Sequence, residues 1–312
     1  MLIERHNEKK NNMICIMILV LIWVLLAVFL GLFQQCEYRG GNMNYKGGDR
    51  RLILIPFGDL KPEQNRSGQL EKLLACFKDL CTTKHGALDI VIAEQIEPRI
   101  MFNKGRVLNH GYAWYKQRHG RPSHVVVHDV DMLPNDRVFQ RYFNTYKVSP
   151  MINMNTASFR KLYNGNCPIG GGVTGFASDV FEKINGFPNH FWGWGGEDNA
   201  VHRRVKSQHV PITWNDDPDA SFENLETQRE KGDAAKMKYL DSSAKLKRSN
   251  EEIEKDIVRD RHNFKRDGLK QVQQCGDLVQ GDQQAGDLPK NLRIFRVKMR
   301  LTVTRSILAS NR

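Results

Sequence analysis

The chain has 312 residues, and its 47 lysines and arginines exceed its 35 aspartates and glutamates, which gives a formal net charge of +12 at pH 7. This length leaves room for one large domain or two small ones with a sizeable core. The charge favours anionic partners such as nucleotide diphosphates or lipid head groups. The sequence has no RNA-binding motif and no platform of aromatic and basic residues, so we expect a solvated basic surface and no nucleic-acid partner.

The N-terminal region predicts a membrane anchor. Residues 13–33 are uncharged and rich in Ile, Leu, Val and Met, which is long enough for a helix to cross a hydrocarbon core of about 30 Å. No cleavage site of small residues follows, so we interpret the segment as an uncleaved signal-anchor behind a short tail, residues 1–12. Basic residues flank both sides and leave the orientation open. Residues 34–50 predict a flexible stem, and residues 51–312 the main domain.

Apolar runs alternate with helical spacing in the first part of this domain. Residues 52–56, 88–93 and 125–127 are continuous apolar runs typical of buried parallel strands. Helices are predicted between them, at residues 70–81 and 103–117. The alternation predicts an α/β fold with a mostly parallel sheet, whose ligands bind beyond the carboxyl ends of the strands.

The second part of the domain is more polar. Residues 197–206 predict a helix, and the highly charged residues 223–270 are interpreted as helix with a largely solvated face. Residues 295–303 alternate apolar with basic or polar side chains, which predicts a half-buried strand with a basic outer face.

Cysteine pairing stays open. One of the six cysteines, Cys15, lies inside the predicted anchor, and an odd number remains for an oxidising compartment. Those five are Cys36, Cys76, Cys81, Cys167 and Cys275. The triplet that begins at Asn65 (NRS) is a candidate glycosylation acceptor, a pattern that also occurs by chance.

The most unusual stretch is residues 191–199, FWGWGGEDN. Its glycines permit backbone angles and close approaches that other residues forbid, and its tryptophans offer flat faces on which a sugar ring can stack. Glu197 and Asp198 then open a helix, where the N-terminus favours an ionised carboxylate, as a general base requires. A merely structural Trp/Gly turn is the alternative, but so much Gly and Trp beside paired acids is poor core design.

A second motif follows the third predicted strand. Asp129, Val130 and Asp131 stand at its carboxyl end, with Pro134 closing the loop. Two carboxylates there can hold a hard divalent cation, which binds a diphosphate and takes up leaving-group charge. An ordinary turn is the alternative for an isolated Asp-x-Asp, and the buried strand before it favours the metal.

Residues 185–199 resemble the acceptor-site motif of the β-1,4-galactosyltransferase family. The resemblance extends to residues 102–104 (FNK), 128–134 (HDVDMLP) and 171–173 (GGV), in the family's order. It covers roughly residues 51–270. It implies a GT-A-like α/β fold and a single-pass type II Golgi membrane protein with a lumenal catalytic domain.

The resemblance assigns roles around residues 191–199. It makes Asp198 the catalytic base and Glu197 the neighbour that positions acceptor and base. Asn199 replaces the aspartate that usually binds the acceptor, and an amide can still accept and donate hydrogen bonds. Trp194 matches a tryptophan of a mobile loop that contacts both substrates, and the glycines around it would serve as hinges.

On the donor side the resemblance implies contacts from ten residues. They are Pro56, Phe57, Phe102, Asn103, Lys104, Asp129, Val130, Ile169, Gly172 and Trp194. The chain departs from the family at Gly58 and Leu60, where arginines are common near the nucleotide. Lys104 and Arg106 are candidates to supply the missing positive charge.

The resemblance makes Asp131 the ligand of Mn²⁺. The family completes that site with a Met-x-x-His, and this chain has Glu223 and Glu226 at the corresponding positions. Such an all-oxygen set suits Mn²⁺ or Mg²⁺. His202, His209 and His262 are other candidates, and each alone is typical of an ordinary surface histidine.

The predicted function is inverting, metal-dependent transfer of galactose or N-acetylgalactosamine from its UDP donor to a glycan acceptor, a terminal sugar expected to be N-acetylglucosamine. Ile169 stands where galactose-specific members carry tyrosine, which favours use of UDP-N-acetylgalactosamine at least as well as UDP-galactose. One alternative is a galactosyltransferase directed at xylose of a proteoglycan linker, although that branch carries arginine where this chain has Gly196. The other is a catalytically inactive membrane-anchored lectin, motivated by the missing arginines and the altered metal ligands.

Overall fold

A computed structural model describes residues 50–59, 65–83, 87–97, 101–144, 170–193, 195–225, 250–284 and 286–302, together with the backbone of 151–153. Within these ranges no helix combines the length and the apolar character needed to span a bilayer. The predicted anchor, residues 13–33, and the predicted stem up to residue 49 lie outside the described ranges.

Strands and helices alternate through the first part of the chain. The strands are β1 (Arg51–Phe57), β2 (Leu88–Gln95), β3 (His124–His128), β4 (Met132–Pro134), β5 (Met151–Asn153), β6 (Val173–Ala177), β7 (Thr213–Trp214), β8 (Phe222–Asn224), β9 (Leu278–Gln283) and β10 (Leu292–Arg300). The helices are α1 (Arg66–Thr83), α2 (Lys104–His119), α3 (Asp136–Asn144), α4 (Ser178–Lys183), α5 (Glu197–Ser207) and α6 (Asn250–Asn263), with a 3₁₀ helix at Leu269–Cys275.

Eight of the described strands form one mixed sheet in the order β7-β5-β6-β3-β1-β2-β10-β9. The neighbouring strands β3, β1, β2 and β10 run parallel to one another, and β5 runs parallel to β7. The other three pairings are antiparallel, those of β6 with β3, of β6 with β5 and of β9 with β10. The prediction of a mostly parallel sheet is therefore confirmed for four of the seven pairings. A continuous apolar run shows that a strand is buried, but not which way its neighbours run.

The core lies on both faces of this sheet. Because side chains alternate along a strand, Leu52 and Leu54 of β1 pack on one face with residues of α2, α4 and α5. Ile53 and Ile55 pack on the other face with residues of α1 and α3. The even burial of β1 on both faces explains why its sequence is a continuous apolar run.

The charged region after Trp214 differs from the prediction of one helix over residues 223–270. Residues 222–224 form β8, which pairs antiparallel with β4, and a 3₁₀ helix stands at the other end of the region. Residues 226–249 lie outside the described ranges, and part of the predicted helix is observed as α6. Its face is not simply solvated, because Ile257 and Asp260 are buried, as is Phe264 directly after its last residue. The pattern missed this face because only a few of its positions point inward.

Strand β10 confirms the predicted alternation near the C-terminus. Val297 and Met299 are buried, whereas Lys298 and Arg300 are exposed. The strand begins at Leu292 and ends at Arg300, a few residues earlier than predicted. Among the cysteines that the structure describes, Cys76, Cys81 and Cys275 are free thiols.

Candidate active site

The Asp129–Asp131 loop lies at the carboxyl end of β3 and is tied to the glycine turn before β6. The Gly172 N–H donates to Asp129 Oδ2 at 2.9 Å, and the Asp129 N–H donates to the Gly172 carbonyl at 3.0 Å. The antiparallel pairing of β3 with β6 places the two motifs side by side, since His128 is paired with Val173.

Lys104, the first residue of α2, joins this loop to the helix that begins at Glu197. Its Nζ lies 3.2 Å from Asp129 Oδ1 and 3.2 Å from Asp198 Oδ1, and it donates to the Gly170 carbonyl at 3.1 Å. Burial alone would lower the pKa of Lys104, but the carboxylates of Asp129 and Asp198 hold it above its ordinary value. Three motifs that are distant in the sequence therefore meet at one ammonium group.

The paired acids Glu197 and Asp198 have unequal surroundings. Glu197 is 9% exposed, and its buried Oε2 has no hydrogen-bond partner among the described residues. Burial, assisted by the neighbouring Asp198, raises the pKa of Glu197 to about 7. The Asp198 side chain is 23% exposed and accepts from Lys104. Burial raises the pKa of Asp198 as well, but the ammonium of Lys104 opposes that shift.

A glycine turn leads into this helix and leaves no space for side chains. Gly196 has a φ of 93° in the left-handed region. A Cβ there would lie 2.7 Å from Phe191 Cε1 and 2.9 Å from Ile253 Cγ2 of α6. The turn therefore requires glycine both for its backbone and for the packing of α6 against it.

The start of α2 is fixed to residues 185–189, which precede the glycine turn. Asn103 caps α2 by accepting from the Arg106 N–H at 2.9 Å, and it donates to the Asn189 carbonyl at 2.9 Å. Gly105 lies so close to Pro188 that a Cβ would come within 1.9 Å of its carbonyl oxygen. Both ends of the Asn103 amide are thus bonded to protein, so this predicted donor-binding side chain holds the loop in place.

The other predicted donor residues take varied positions. Phe57 is buried under the guanidinium of Arg296, 5.4 Å from the ring centroid. Pro56 and Val130 are also buried. The Phe102 carbonyl accepts from the Gly193 N–H at 2.8 Å, which ties α2 to residues 191–193.

Several predicted residues stay untested by the geometry. Ile169, Trp194 and Glu226 lie outside the described residues, and Asn199 is exposed on the first turn of α5. Their roles remain predictions.

The predicted metal ligand Asp131 is nearly buried, with 8% of its side chain exposed. Its Oδ2 lies 3.3 Å from Arg66 Nη1, and its carbonyl accepts from the Leu225 N–H at 2.7 Å. Strand β8 thus brings the chain up to residue 225 beside the loop. A carboxylate oxygen is the kind of donor that Mn²⁺ and Mg²⁺ bind, so Asp131 fits either ion, which would compete with Arg66 for Oδ2.

The second predicted ligand, Glu223, is exposed on β8. It is near enough to Cys76 that its charge adds to the effect of burial and of Asp79 in raising the pKa of that thiol.

Among the described residues, the one group of three or more possible metal ligands whose ligand atoms lie together is His190, Asp260 and Asp267. It includes neither Asp131 nor any of the alternative histidines. Arg204 occupies it by donating to both Asp260 oxygens and to the Asp267 carbonyl. This cluster is therefore an internal ion-pair network that links α5 to α6.

Sequence reasoning missed Arg66, which it treated only as part of a glycosylation triplet. Arg66 begins α1, the helix that follows β1, and the start of such a helix faces the carboxyl edge of the sheet. That position was the available signal. Arg106 instead donates to the Thr302 carbonyl at 2.7 Å and lies over the Trp192 ring. The cation beside the metal-ligand candidate is therefore Arg66, and Arg106 is directed elsewhere.

Comparisons with known proteins agree with the motifs. The model of a family described as the N-terminal domain of galactosyltransferase matches residues 151–227. Human β-1,4-galactosyltransferase 4 is 31% identical over 159 residues, which are 49% of this chain and 43% of that protein. A Lymnaea stagnalis β-N-acetyl-D-glucosaminide β-1,4-N-acetylglucosaminyltransferase is 30% identical over 165 residues, 53% of this chain and 31% of that protein. The matches thus span about a third to less than half of these relatives.

A solved structure agrees with the fold. The catalytic domain of Drosophila β-1,4-galactosyltransferase 7, crystallised with xylobiose, superposes with a TM-score of 0.57 over 84% of this chain and 98% of that chain. The sequence identity is 17%, so this likeness shows a shared GT-A-like glycosyltransferase fold and nothing finer.

Proposed function

The chain belongs to the β-1,4-galactosyltransferase family, and from this membership we propose that it transfers a sugar from a UDP donor to a hydroxyl group of a terminal sugar, with inversion at the anomeric carbon. The observation that carries the proposal is the convergence at Lys104. One ammonium group contacts Asp129 of the predicted donor side and Asp198 of the predicted acceptor side. This contact brings the predicted donor and acceptor residues together, and a transferase must hold its two substrates close to each other.

The proposed mechanism assigns Asp198 as the general base. Its carboxylate takes the proton of the acceptor hydroxyl while that oxygen forms the new bond to the anomeric carbon, and the bond from that carbon to the UDP oxygen breaks. Glu197 lies beside it with a buried oxygen, Oε2, that has no protein partner within the described residues. That oxygen is suited to bind the acceptor and align its hydroxyl.

The chain's own residues also define the donor side. Asp129 is fixed by Gly172 and Lys104, so its carboxylate is held in place before the donor arrives. Arg66 lies beside Asp131 and can attract the diphosphate. Mn²⁺ or Mg²⁺, held by Asp131 and by oxygen ligands from Glu223 and Glu226, would stabilise the charge of the departing UDP.

We propose galactose or N-acetylgalactosamine as the transferred sugar and N-acetylglucosamine as the acceptor. Ile169 in place of the family's tyrosine supports UDP-N-acetylgalactosamine as a donor. The Lymnaea relative is named as an N-acetylglucosaminyltransferase, so UDP-N-acetylglucosamine should be tested beside the other two. We also propose that residues 13–33 anchor the protein in the Golgi membrane with residues 51–312 in the lumen.

Two other functions remain candidates. Transfer to xylose is supported by the resemblance of residues 128–134 and 191–194 to that branch of the family, but Gly196 counts against it, since this turn has no space for a side chain. A lectin without catalysis is supported by Gly58 and Leu60, which replace arginines near the nucleotide.

The test is a transfer assay with the full-length chain purified in detergent. Each of the three UDP-sugars is combined with acceptors that end in N-acetylglucosamine or in xylose, with Mn²⁺, with Mg²⁺ or with a chelator. We expect a β-1,4-linked product on N-acetylglucosamine, formed from UDP-N-acetylgalactosamine at least as fast as from UDP-galactose. The variant Ile169→Tyr should shift the preference towards galactose. No turnover with any pair, together with UDP binding that is indifferent to Mn²⁺ and retained binding of glycans, would contradict the proposal and favour the lectin.

A further inference from the structure

We infer that Lys104 is a positioning residue that couples the two halves of the site by holding the Asp198 carboxylate ionised and fixed in direction. The inference rests on the proposed function, in which Asp198 accepts a proton. It goes beyond a donor-binding role for Lys104, because it concerns the base on the acceptor side.

The backbone of Lys104 is immobilised from both sides. Asn103 before it is fully buried and caps α2, and Gly105 after it is packed against the Pro188 carbonyl. The side chain therefore starts from a fixed point. An ammonium group has three N–H donors, and Asp129, Asp198 and the Gly170 carbonyl lie within 3.2 Å of Nζ. With all three donors engaged, the group has one defined position.

The approach of Asp198 depends on a glycine as well. Gly170 has a φ of 109°, and a Cβ there would lie 3.4 Å from Asp198 Oδ1. With no side chain at this point, Asp198 and Lys104 can meet over the Gly170 backbone. Lysine, glycine and aspartate thus form one arrangement built from three separate segments.

The charges around Asp198 explain why a cation is needed. Glu197 on its own helix and Asp129 on the facing loop are both acidic, and both lie close enough to Lys104 for their charges to act on it. The charge of Asp129 also raises the pKa of Asp198, and the ammonium of Lys104 lowers it again. Without the ammonium group, three carboxyl groups would share a mostly buried site, and Asp198 would retain its proton to higher pH. A protonated Asp198 cannot accept the proton of the acceptor hydroxyl.

The experiment compares the pH dependence of kcat/KM for the full-length wild type, Lys104→Met and Lys104→Arg. Lys116→Met is the matched control, because Lys116 is an exposed lysine of the same helix that also pairs with a carboxylate. We expect the acid limb of Lys104→Met to move to higher pH by about 1–3 units. Lys104→Arg should show little of this shift, because the guanidinium retains the positive charge, and Lys116→Met should match the wild type.

An effect of Lys104→Met on the KM for the UDP-sugar, without an effect on the acid limb, would overturn the inference. If Lys104→Met raises the KM for the UDP-sugar and leaves the acid limb unchanged, Lys104 is only a donor-binding residue. Lys104→Gln serves as a second variant, since it retains a donor for the Gly170 carbonyl without the charge. A cooperative urea-unfolding transition like that of the wild type shows that either variant is folded.

A direct titration separates this inference from the proposed function. The full-length chain is labelled with aspartate carrying ¹³C at the side-chain carboxyl, and the Asp198 signal is assigned by its loss in Asp198→Asn. An upward shift of its titration midpoint in Lys104→Met supports the inference even if no sugar is transferred. An unchanged midpoint overturns it even if the wild type is an active transferase.

Discussion

At the scale of single residues, the site is organised by two adjacent acids in different surroundings. Asp198 faces the ammonium of Lys104, whereas Glu197 has a buried oxygen without a partner within the described part of the chain. Acids whose environments differ in this way are typical of sites that divide the work between a base and a hydrogen-bond donor. Glu197 is therefore suited to share a proton with the acceptor, and Asp198 to take one from it.

The raised pKa of Glu197 predicts a pH-dependent stability. The pKa of this acid rises from 4.5 to about 7 on folding, so the native state holds the proton more tightly than the unfolded chain does. Stability should fall as pH rises through this range, by at most about 3 kcal/mol at about 1.4 kcal/mol per pKa unit. Glu197→Gln should remove this loss, as measured by urea unfolding at about pH 5 and about pH 8. Glu251→Gln, an exposed first-turn acid of α6, is the control, and an equal loss in Glu197→Gln and the wild type would contradict the assignment.

Asp131 leads to a prediction about the metal. Asp131→Ala should abolish the dependence of UDP binding on Mn²⁺. Of the proposed ligands that the structure describes, Asp131 is the buried one, and its loss removes a carboxylate that a hard cation needs. Glu226→Ala should weaken that dependence less. Calorimetric titration of UDP with and without Mn²⁺ measures both effects, with Asp219→Ala as a control at an exposed acid. An unchanged response to Mn²⁺ in Asp131→Ala would exclude this metal site.

At the scale of elements, the start of α5 is held by α6 through the glycine turn. Ile253 of α6 would lie 3.2 Å from a Cβ on Gly195 and 2.9 Å from a Cβ on Gly196. Ile257 of the same helix packs with Phe191 and Ala200. The charged helix α6 thus packs against the segment that carries Glu197 and Asp198, the proposed catalytic acids.

Gly196→Ala should destabilise the protein by about 2–5 kcal/mol. The left-handed backbone costs about 1–2 kcal/mol and overpacking against Phe191 and Ile253 about 1–3 kcal/mol. Gly276→Ala is the matched control. Gly276 is also in the left-handed region, with a φ of 71°, but the nearest atom to the position that its Cβ would take, Thr302 Oγ1, lies at an ordinary contact distance of 3.8 Å, so only the backbone cost applies.

A double variant tests whether the contact with Ile253 causes the packing part of this loss. Adding Ile253→Ala to Gly196→Ala should recover part of the packing loss, because it removes one of the two side chains that a Cβ at residue 196 would meet. Chemical unfolding measures the free energy for each variant. Equal losses of unfolding free energy in Gly196→Ala and Gly276→Ala would show that Ile253 does not press on the turn.

At the scale of the whole described domain, residues from the C-terminal part of the chain hold α5, the helix that carries Asp198, in place. Arg204 of α5 is fully buried and bonds Asp260 of α6, the Asp267 carbonyl and the carbonyls of residues 184–186. Strand β10 lies between β2 and β9 in the sheet. Residues far apart in the sequence therefore fix the helix that carries Asp198.

The burial of the Arg204–Asp260 ion pair predicts that it stabilises the fold more than the neighbouring Arg203–Glu254 pair does. Both side chains of Arg204 and Asp260 are 1% exposed, whereas those of Arg203 and Glu254 are 42% and 56% exposed. Asp260→Ala should destabilise by about 3–5 kcal/mol, because it leaves a buried guanidinium without its counter-ion. Glu254→Ala should cost at most about 1 kcal/mol. Chemical unfolding measures both, and similar losses for the two variants would be inconsistent with a supporting role for the buried pair.

The sequence predicted those parts of this arrangement that depend on local patterns. Strands β1 to β3 and helices α2 and α5 could be predicted because burial and helical spacing are local properties of a strand or helix. The position of Arg66 beside Asp131 could not, since it depends on how α1 packs across the sheet edge. Strand β8 was mistaken for helix because its pairing with β4 joins segments about 90 residues apart. The buried face of α6 was missed because Arg204, its partner for Asp260, lies 56 positions earlier in the sequence.

The measurement that tests the proposed chemistry most directly compares sugar transfer and UDP binding in Asp198→Asn and the wild type. The account predicts that transfer falls by about 10²–10⁴-fold while UDP affinity stays nearly unchanged, because a general base acts only in the chemical step. Asp179→Asn, a first-turn acid of α4, should behave as the wild type. An Asp198→Asn variant that keeps more than about a tenth of wild-type turnover would contradict the assignment of Asp198 as the base.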